Sequence, residues 1–129
     1  MSGRASKAKG YRFEFDLVAF GKAWFPRMKR LGSQGANDKG DISGVLDWAL
    51  EAKDRSPIRL SEWLREAEKE AANAGKPWYA VLVKQRGKNV SQSYFVMPIS
   101  KAFDLIREHQ QMKKKLKELG YGPSNWADS

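Results

Sequence analysis

The stretch DWALEAKDR, residues 47–55, decides how this chain folds. Read as a β-strand, it sets Trp48, Leu50 and Ala52 on one face and Asp47, Ala49, Glu51 and Lys53 on the other. The first face belongs to a core. The second carries a carboxylate and an ammonium two positions apart, about 7 Å along the strand by the rise per residue, where a buried sheet ordinarily carries neither.

Working outward, the segment before it, GSQGANDKGD, is rich in Gly, Asn, Asp and Ser and reads as a loop. It leads into Asp41-Ile42-Ser43-Gly44-Val45, a strand and turn that hands over to residues 47–55. Further upstream, Phe13, Leu17, Phe20 and Trp24 recur at helical spacing, which predicts an amphipathic helix from Tyr11 to near Pro26 and a short strand at 27–31. Downstream, Ser61 is the expected N-cap of a second helix with Trp63, Leu64, Ala67 and Ala71 inward, ended by Gly75 and Pro77. WYAVLV, residues 78–83, reads as a strand covered on both faces, and SYFVM, residues 93–97, as another after the turn at Gly87. A last helix starts near Ser100, turns Phe103, Ile106, Met112, Leu116 and Leu119 inward, and stops at Gly120. The expected order is helix, three strands, helix, two strands, helix, an α/β protein with a mixed central sheet flanked by helices. Residues 1–10 read as a flexible basic arm, 11–119 as one domain, and 120–129 as a C-terminal tail.

The composition narrows the chemistry. The 129 residues include no cysteine and one histidine, His109, which excludes disulfide scaffolds, zinc ribbons, thiol nucleophiles and His-based triads. Lys and Arg total 24 against 15 acids, a net charge of +9, so a polyanion is the expected partner, nucleic acid ahead of a membrane. No segment is apolar enough for a signal peptide or a membrane span, and the expected location is the cytoplasm.

Asp41 lies ten residues before Glu51, at the far end of a β-turn-β connection that can bring the two face to face. Carboxylates so placed repel unless a cation sits between them, and an all-oxygen set favours a hard ion, Mg²⁺ or Mn²⁺. Glu14, at the edge of the first helix's apolar stripe, is a third candidate ligand. Lys53 beside them can orient a nucleophile, accept its proton if its pKa is depressed, or steady charge on a scissile phosphate. The alternative is a cross-strand ion pair of Glu51 and Lys53, with Glu14 a solvated residue paired with Arg12 or Lys22.

Asp41, then Glu51-Ala52-Lys53, with Glu14 on the preceding helix, resembles the PD-(D/E)XK nuclease superfamily. The frame AKGYRFEFDLV, GANDKGDISG, LEAKDR, LSEWLREAEKEA resembles its Holliday junction resolvase-like branch, including small phage-encoded members, over roughly residues 4–98. The chain departs from that pattern at Gly40, where the motif's name has Pro, at Ala52, where a larger apolar residue is usual, and at Glu66, where relatives often carry Gln. The resemblance implies a restriction-endonuclease-like αβββαβ core with a C-terminal helix outside it. It also implies Mg²⁺-dependent hydrolysis of DNA, branched junctions as the expected substrate, and a homodimer acting in the cytoplasm, the host's if the chain is phage-encoded. Asp41 and Glu51 are then metal ligands, Lys53 the catalytic lysine and Glu14 the helix acid. The rivals are a restriction-like, nicking or exonucleolytic nuclease of the same fold, and a non-catalytic basic nucleic-acid-binding protein.

Candidate DNA contacts come from four places. They are Arg4, Lys7, Lys9 and Arg12 near the N-terminus, Arg27, Lys29 and Arg30 on the first strand, Ser33 and Lys39 in the loop, and Lys113, Lys114 and Lys115 on the last helix. Each group also reads as ordinary solvated surface. Trp126 in the tail could stack on a base, with packing as its alternative.

Overall fold

The computed structural model describes residues 3–32 and 39–123, with side chains from residue 8 onward. Its first element is helix α1 (Gly3–Gly21), followed by strands β1 (Lys29–Arg30), β2 (Ile42–Ser43) and β3 (Trp48–Lys53), helix α2 (Leu60–Ala74), strands β4 (Trp78–Val83) and β5 (Tyr94–Val96), and helix α3 (Ile99–Glu118). The order is the one expected, with a short 3₁₀ turn at Val90–Gln92 added before β5. All five strands form one mixed sheet in the order β1-β2-β3-β4-β5. The first three pair antiparallel, β4 runs parallel to β3, and β5 returns antiparallel to β4. The parallel step needs a crossover, and α2 supplies it.

Two apolar layers cover the sheet. Phe13 and Leu17 of α1 pack with Met28, Ile42, Val45, Leu50, Ala52, Ala80 and Leu82 on one side. Trp63, Ala67 and Ala71 of α2 pack with Ala49, Tyr79, Val81 and Val83 on the other. A strand buried on both faces needs apolar residues at consecutive positions, which suits WYAVLV to its place inside the sheet, between β3 and β5.

Several boundaries differ from the sequence reading. Helix α1 begins at Gly3, so residues 3–10 are helical rather than a flexible arm. It ends at Gly21, short of Pro26, and the Met28 side chain packs against that glycine. Phe20 and Trp24, on the expected apolar stripe, are exposed, and their rings meet each other at 4.9 Å. The cap of α2 is Arg59, which makes no side-chain capping bond, and Ser61 lies inside the helix. Gly75 does end α2 in the left-handed conformation.

The chain divides into two compact units, Met1–Met97 and Pro98–Ser129. Burial explains the division. No residue of α3 is buried, and Phe103, Ile106, Met112, Leu116 and Leu119, expected inward, are exposed. Among the described residues, no helix is long and apolar enough to cross a membrane.

Candidate active site

The site starts from one register. Ile42 pairs with Leu50, so one step along the antiparallel ladder sets Asp41 opposite Glu51, as the ten-residue spacing predicts. Two bonds fix Asp41 there: its backbone N–H donates to the Leu50 carbonyl at 2.9 Å, and Ala52 N–H donates to its Oδ2 at 2.8 Å. The position before it must be small and left-handed. Gly40 has φ +105°, and a Cβ there would stand 3.1 Å from the Leu50 carbonyl oxygen. The glycine where the nuclease motif's name has proline thus has a local reason.

Glu51 and Lys53 point to the face that α2 covers. Glu51 is 6% exposed, and its Oε1 lies 3.5 Å from Lys53 Nζ. The same ammonium donates to Glu66 Oε2 at 2.9 Å and sits 5.9 Å from the Trp63 ring. Helix α2 brings a second acid: Trp63, Ala67, Glu70 and Ala71 are its buried residues, and Glu70 is 7% exposed. One oxygen from each of Glu51, Glu66 and Glu70 falls within 4.8 Å of the others.

Charges this close and this dry change their acidity. Burial raises the Glu51 pKa well above the usual carboxylate range, and the Glu70 and Asp41 carboxyls push it further, with Lys53 opposing them. Where Glu51 meets Glu70, acceptor faces acceptor, and a hydrogen bond forms only if one of them holds a proton. The buried Glu51 Oε2 receives no hydrogen bond from any described residue. Burial alone would disfavour the Lys53 ammonium, but the bond to Glu66 and the charges of Glu51, Glu66 and Asp41 outweigh it and raise its pKa above the ordinary lysine value. So held, the Lys53 ammonium is placed to orient a nucleophile or to stabilise negative charge.

The donor chemistry fits a hard cation. Asp41 and Glu51 offer only oxygens, from adjacent strands, and one of those oxygens is buried without a donor. Glu14 is half-buried on α1, and its Oε1 lies 3.4 Å from Arg30 Nε. The three acids clustered within 4.8 Å, Glu51, Glu66 and Glu70, include neither Glu14 nor Asp41.

The expected DNA contacts fall in different settings. Arg12, Arg27, Lys29 and Lys39 are exposed. Arg30 lies 3.4 Å from Glu14 through its Nε and stacks over the Tyr11 ring at 3.8 Å. Lys9 reaches Asp54, just after β3, at 4.0 Å. Arg4 and Lys7 belong to α1, but their side chains lie outside the described residues, as do Ser33 and Trp126. Lys113, Lys114 and Lys115 are on α3, in the second unit.

Sequence reasoning missed the part played by α2. Glu66 was noted only as a departure from a family pattern, and Glu70 not at all. The signal was present: 63, 67, 70 and 71 fall on one helical stripe, so a glutamate at 70 occupies a core position. No family model, curated protein or solved structure matches this chain.

Proposed function

We propose that this chain is a divalent-metal-dependent DNA endonuclease with Asp41, Glu51 and Lys53 at its centre, acting on branched DNA as a homodimer. The observation that carries the reading is the register that opposes Asp41 to Glu51 with Lys53 two residues further along the same strand. The chain order α1-β1-β2-β3-α2-β4, with β4 parallel to β3, agrees with the αβββαβ core of restriction-endonuclease-like proteins. The surplus of nine positive charges supports a polyanionic substrate.

Asp41 and Glu51 would hold Mg²⁺, or Mn²⁺ in its place. A bound ion would supply Lewis acidity to a phosphodiester and hydroxide at neutral pH. The chain's own contribution is positional. Asp41 is pinned by two backbone bonds, and Lys53 is kept charged by Glu66 beside the place where negative charge would develop.

The test is a panel of labelled four-way, flap and linear duplexes with Mg²⁺ or with EDTA. Cutting should require the metal, and Asp41→Asn, Glu51→Gln or Lys53→Ala should each lower it by about 10³-fold or more while binding changes only a few-fold. Undiminished cutting by Glu51→Gln would sink the assignment. Glu14 joins the ligand set only if Glu14→Gln slows cutting to a similar degree. Preference among the substrates separates a junction enzyme from a nicking, restriction-like or exonucleolytic one.

One observation favours a second reading, a non-catalytic DNA-binding protein. Lys53 already touches two carboxylates, as a purely structural ion network would require. Wild type that binds but cuts none of the panel would decide for it.

A further inference from the structure

The carboxyl end of β3 opens onto a polar hollow. In open α/β sheets, ligands collect at the carboxyl ends of parallel strands, and β3 and β4 are the parallel pair of this sheet. There a cavity of about 360 Å³ is lined by Arg55, Ser56, Arg59, Glu62, Trp63 and Glu66. Two of these residues tie it to the candidate active site: Glu66 holds Lys53 Nζ at 2.9 Å, and the Trp63 ring lies below the same ammonium. The cavity therefore adjoins the two side chains, Glu66 and Trp63, that flank the Lys53 ammonium.

We propose that this cavity is a second phosphate subsite, in which Arg55 and Arg59 take a DNA phosphate next to the one at Lys53. The inference rests on the DNA-binding part of the proposed function and assigns the chain two contact residues outside the basic clusters already named. Guanidinium suits the role, because its planar fork matches two phosphate oxygens at once. The two acids in the lining do not forbid an anion. Glu66 is neutralised by Lys53. Glu62 faces Arg59 at 4.0 Å with both side chains more than half exposed, a contact of little energy that a phosphate can displace. Glu62 is then a placeholder for the phosphate, and removing its charge should help binding.

That consequence separates a built subsite from general surface charge. The experiment is fluorescence anisotropy of a labelled four-way junction and a linear duplex over a salt series in EDTA. It compares wild type with Arg55→Ala, Arg59→Ala, Glu62→Gln and, as a control on the exposed side of the same helix, Lys69→Ala. Each arginine variant should lose about one unit of the log-log salt slope and about tenfold in affinity near 0.1 M salt. Glu62→Gln should bind more tightly than wild type, and Lys69→Ala should change little. Both arginines are exposed, and circular dichroism checks that the variants fold. Arginine variants indistinguishable from Lys69→Ala, or no gain in Glu62→Gln, would overturn the subsite. Cleavage plays no part in the readout. A wild type that shows these slopes but cuts nothing ends the nuclease reading and leaves the subsite standing, whereas flat responses in an enzyme that cuts end the subsite alone.

Discussion

Strand β3 has two faces, and they are built on opposite terms. Toward α1, Leu50 and Ala52 join a layer of aliphatic and aromatic side chains, and the buried charges among the described residues, Glu51 and Glu70, lie outside it. Toward α2, Ala49 is followed by Glu51 and Lys53, and the helix that covers them answers with Glu66 and Glu70. The first face earns stability from burial, roughly 25 cal/mol for each Å² of apolar surface. The second takes charges out of water, which costs several kcal/mol per ion before any pairing offsets it. A fold selected for stability alone would have used leucines on both. The α2 face is where stability has been given up, and that asymmetry supports placing the proposed site there.

If the comparison is right, the two faces should respond to substitution with opposite signs. The largest effect is expected on the α1 face. Leu50 is 4% exposed within the larger core, and Leu50→Ala should destabilise the protein by about 3 kcal/mol, read as a lower urea midpoint with unchanged slope. A loss under 1 kcal/mol would mean that this layer is loosely packed and that the contrast between faces is weaker than described.

On the α2 face, neutralising a charge should help. Glu51 has a folded-state pKa raised above its ordinary 4.5, so its contribution to stability is present below that value and is lost as pH rises through the folded value. At pH 8 and without metal, Glu51→Gln should therefore be more stable than wild type by about 1–2 kcal/mol, and the gap should close toward pH 4.5. Lys53 keeps Glu66 as a partner in the variant, so no charge is stranded. Mg²⁺ should raise the melting temperature of wild type by a few degrees and leave Glu51→Gln unmoved. A structural ion pair predicts the reverse on both counts: loss of stability in the variant and no response to the ion.

The contrast between faces was half legible in the sequence. Alternation in WALEAK and the unbroken run WYAVLV marked β3 and β4, because side-chain period is a local property. The opposition of Asp41 and Glu51 was legible too, since a short antiparallel connection fixes register by residue count. The acids of α2 were not. A glutamate on a helix reads as solvated by default, and only the sheet shows that positions 66 and 70 look down on Lys53 and Glu51. The end of α1 was misplaced for a related reason. Phe20 and Trp24 continue the apolar period past Gly21, where the helix stops, so the period alone does not mark the end. Apolar positions in α3 raised the same difficulty, since period shows which residues share a stripe and not whether anything covers it.

The smallest effect lies at the outer edge of the α2 face and tests whether all its polar contacts are costly or only those around Glu51. Tyr79 is buried on β4, and its hydroxyl donates to Glu68 Oε2 at 2.8 Å, where Glu68 is exposed. Burial, then the bond and charge of Glu68, push the Tyr79 pKa up to about 12 from 10.0. A raised folded value means that the contribution is complete below pH 10 and is lost as pH rises toward 12. Tyr79→Phe should therefore cost about 1 kcal/mol at pH 8, the reverse of the sign at Glu51, because here a neutral donor meets an acceptor that water can still reach. The difference between wild type and variant should shrink between pH 10 and 12, and the ultraviolet phenolate signal of Tyr79, obtained by subtracting the variant's titration, should lag behind that of free tyrosine. A Tyr79→Phe variant more stable than wild type at pH 8 would extend the cost from the buried acid cluster to the whole face, and the site would then no longer stand out from the layer that contains it.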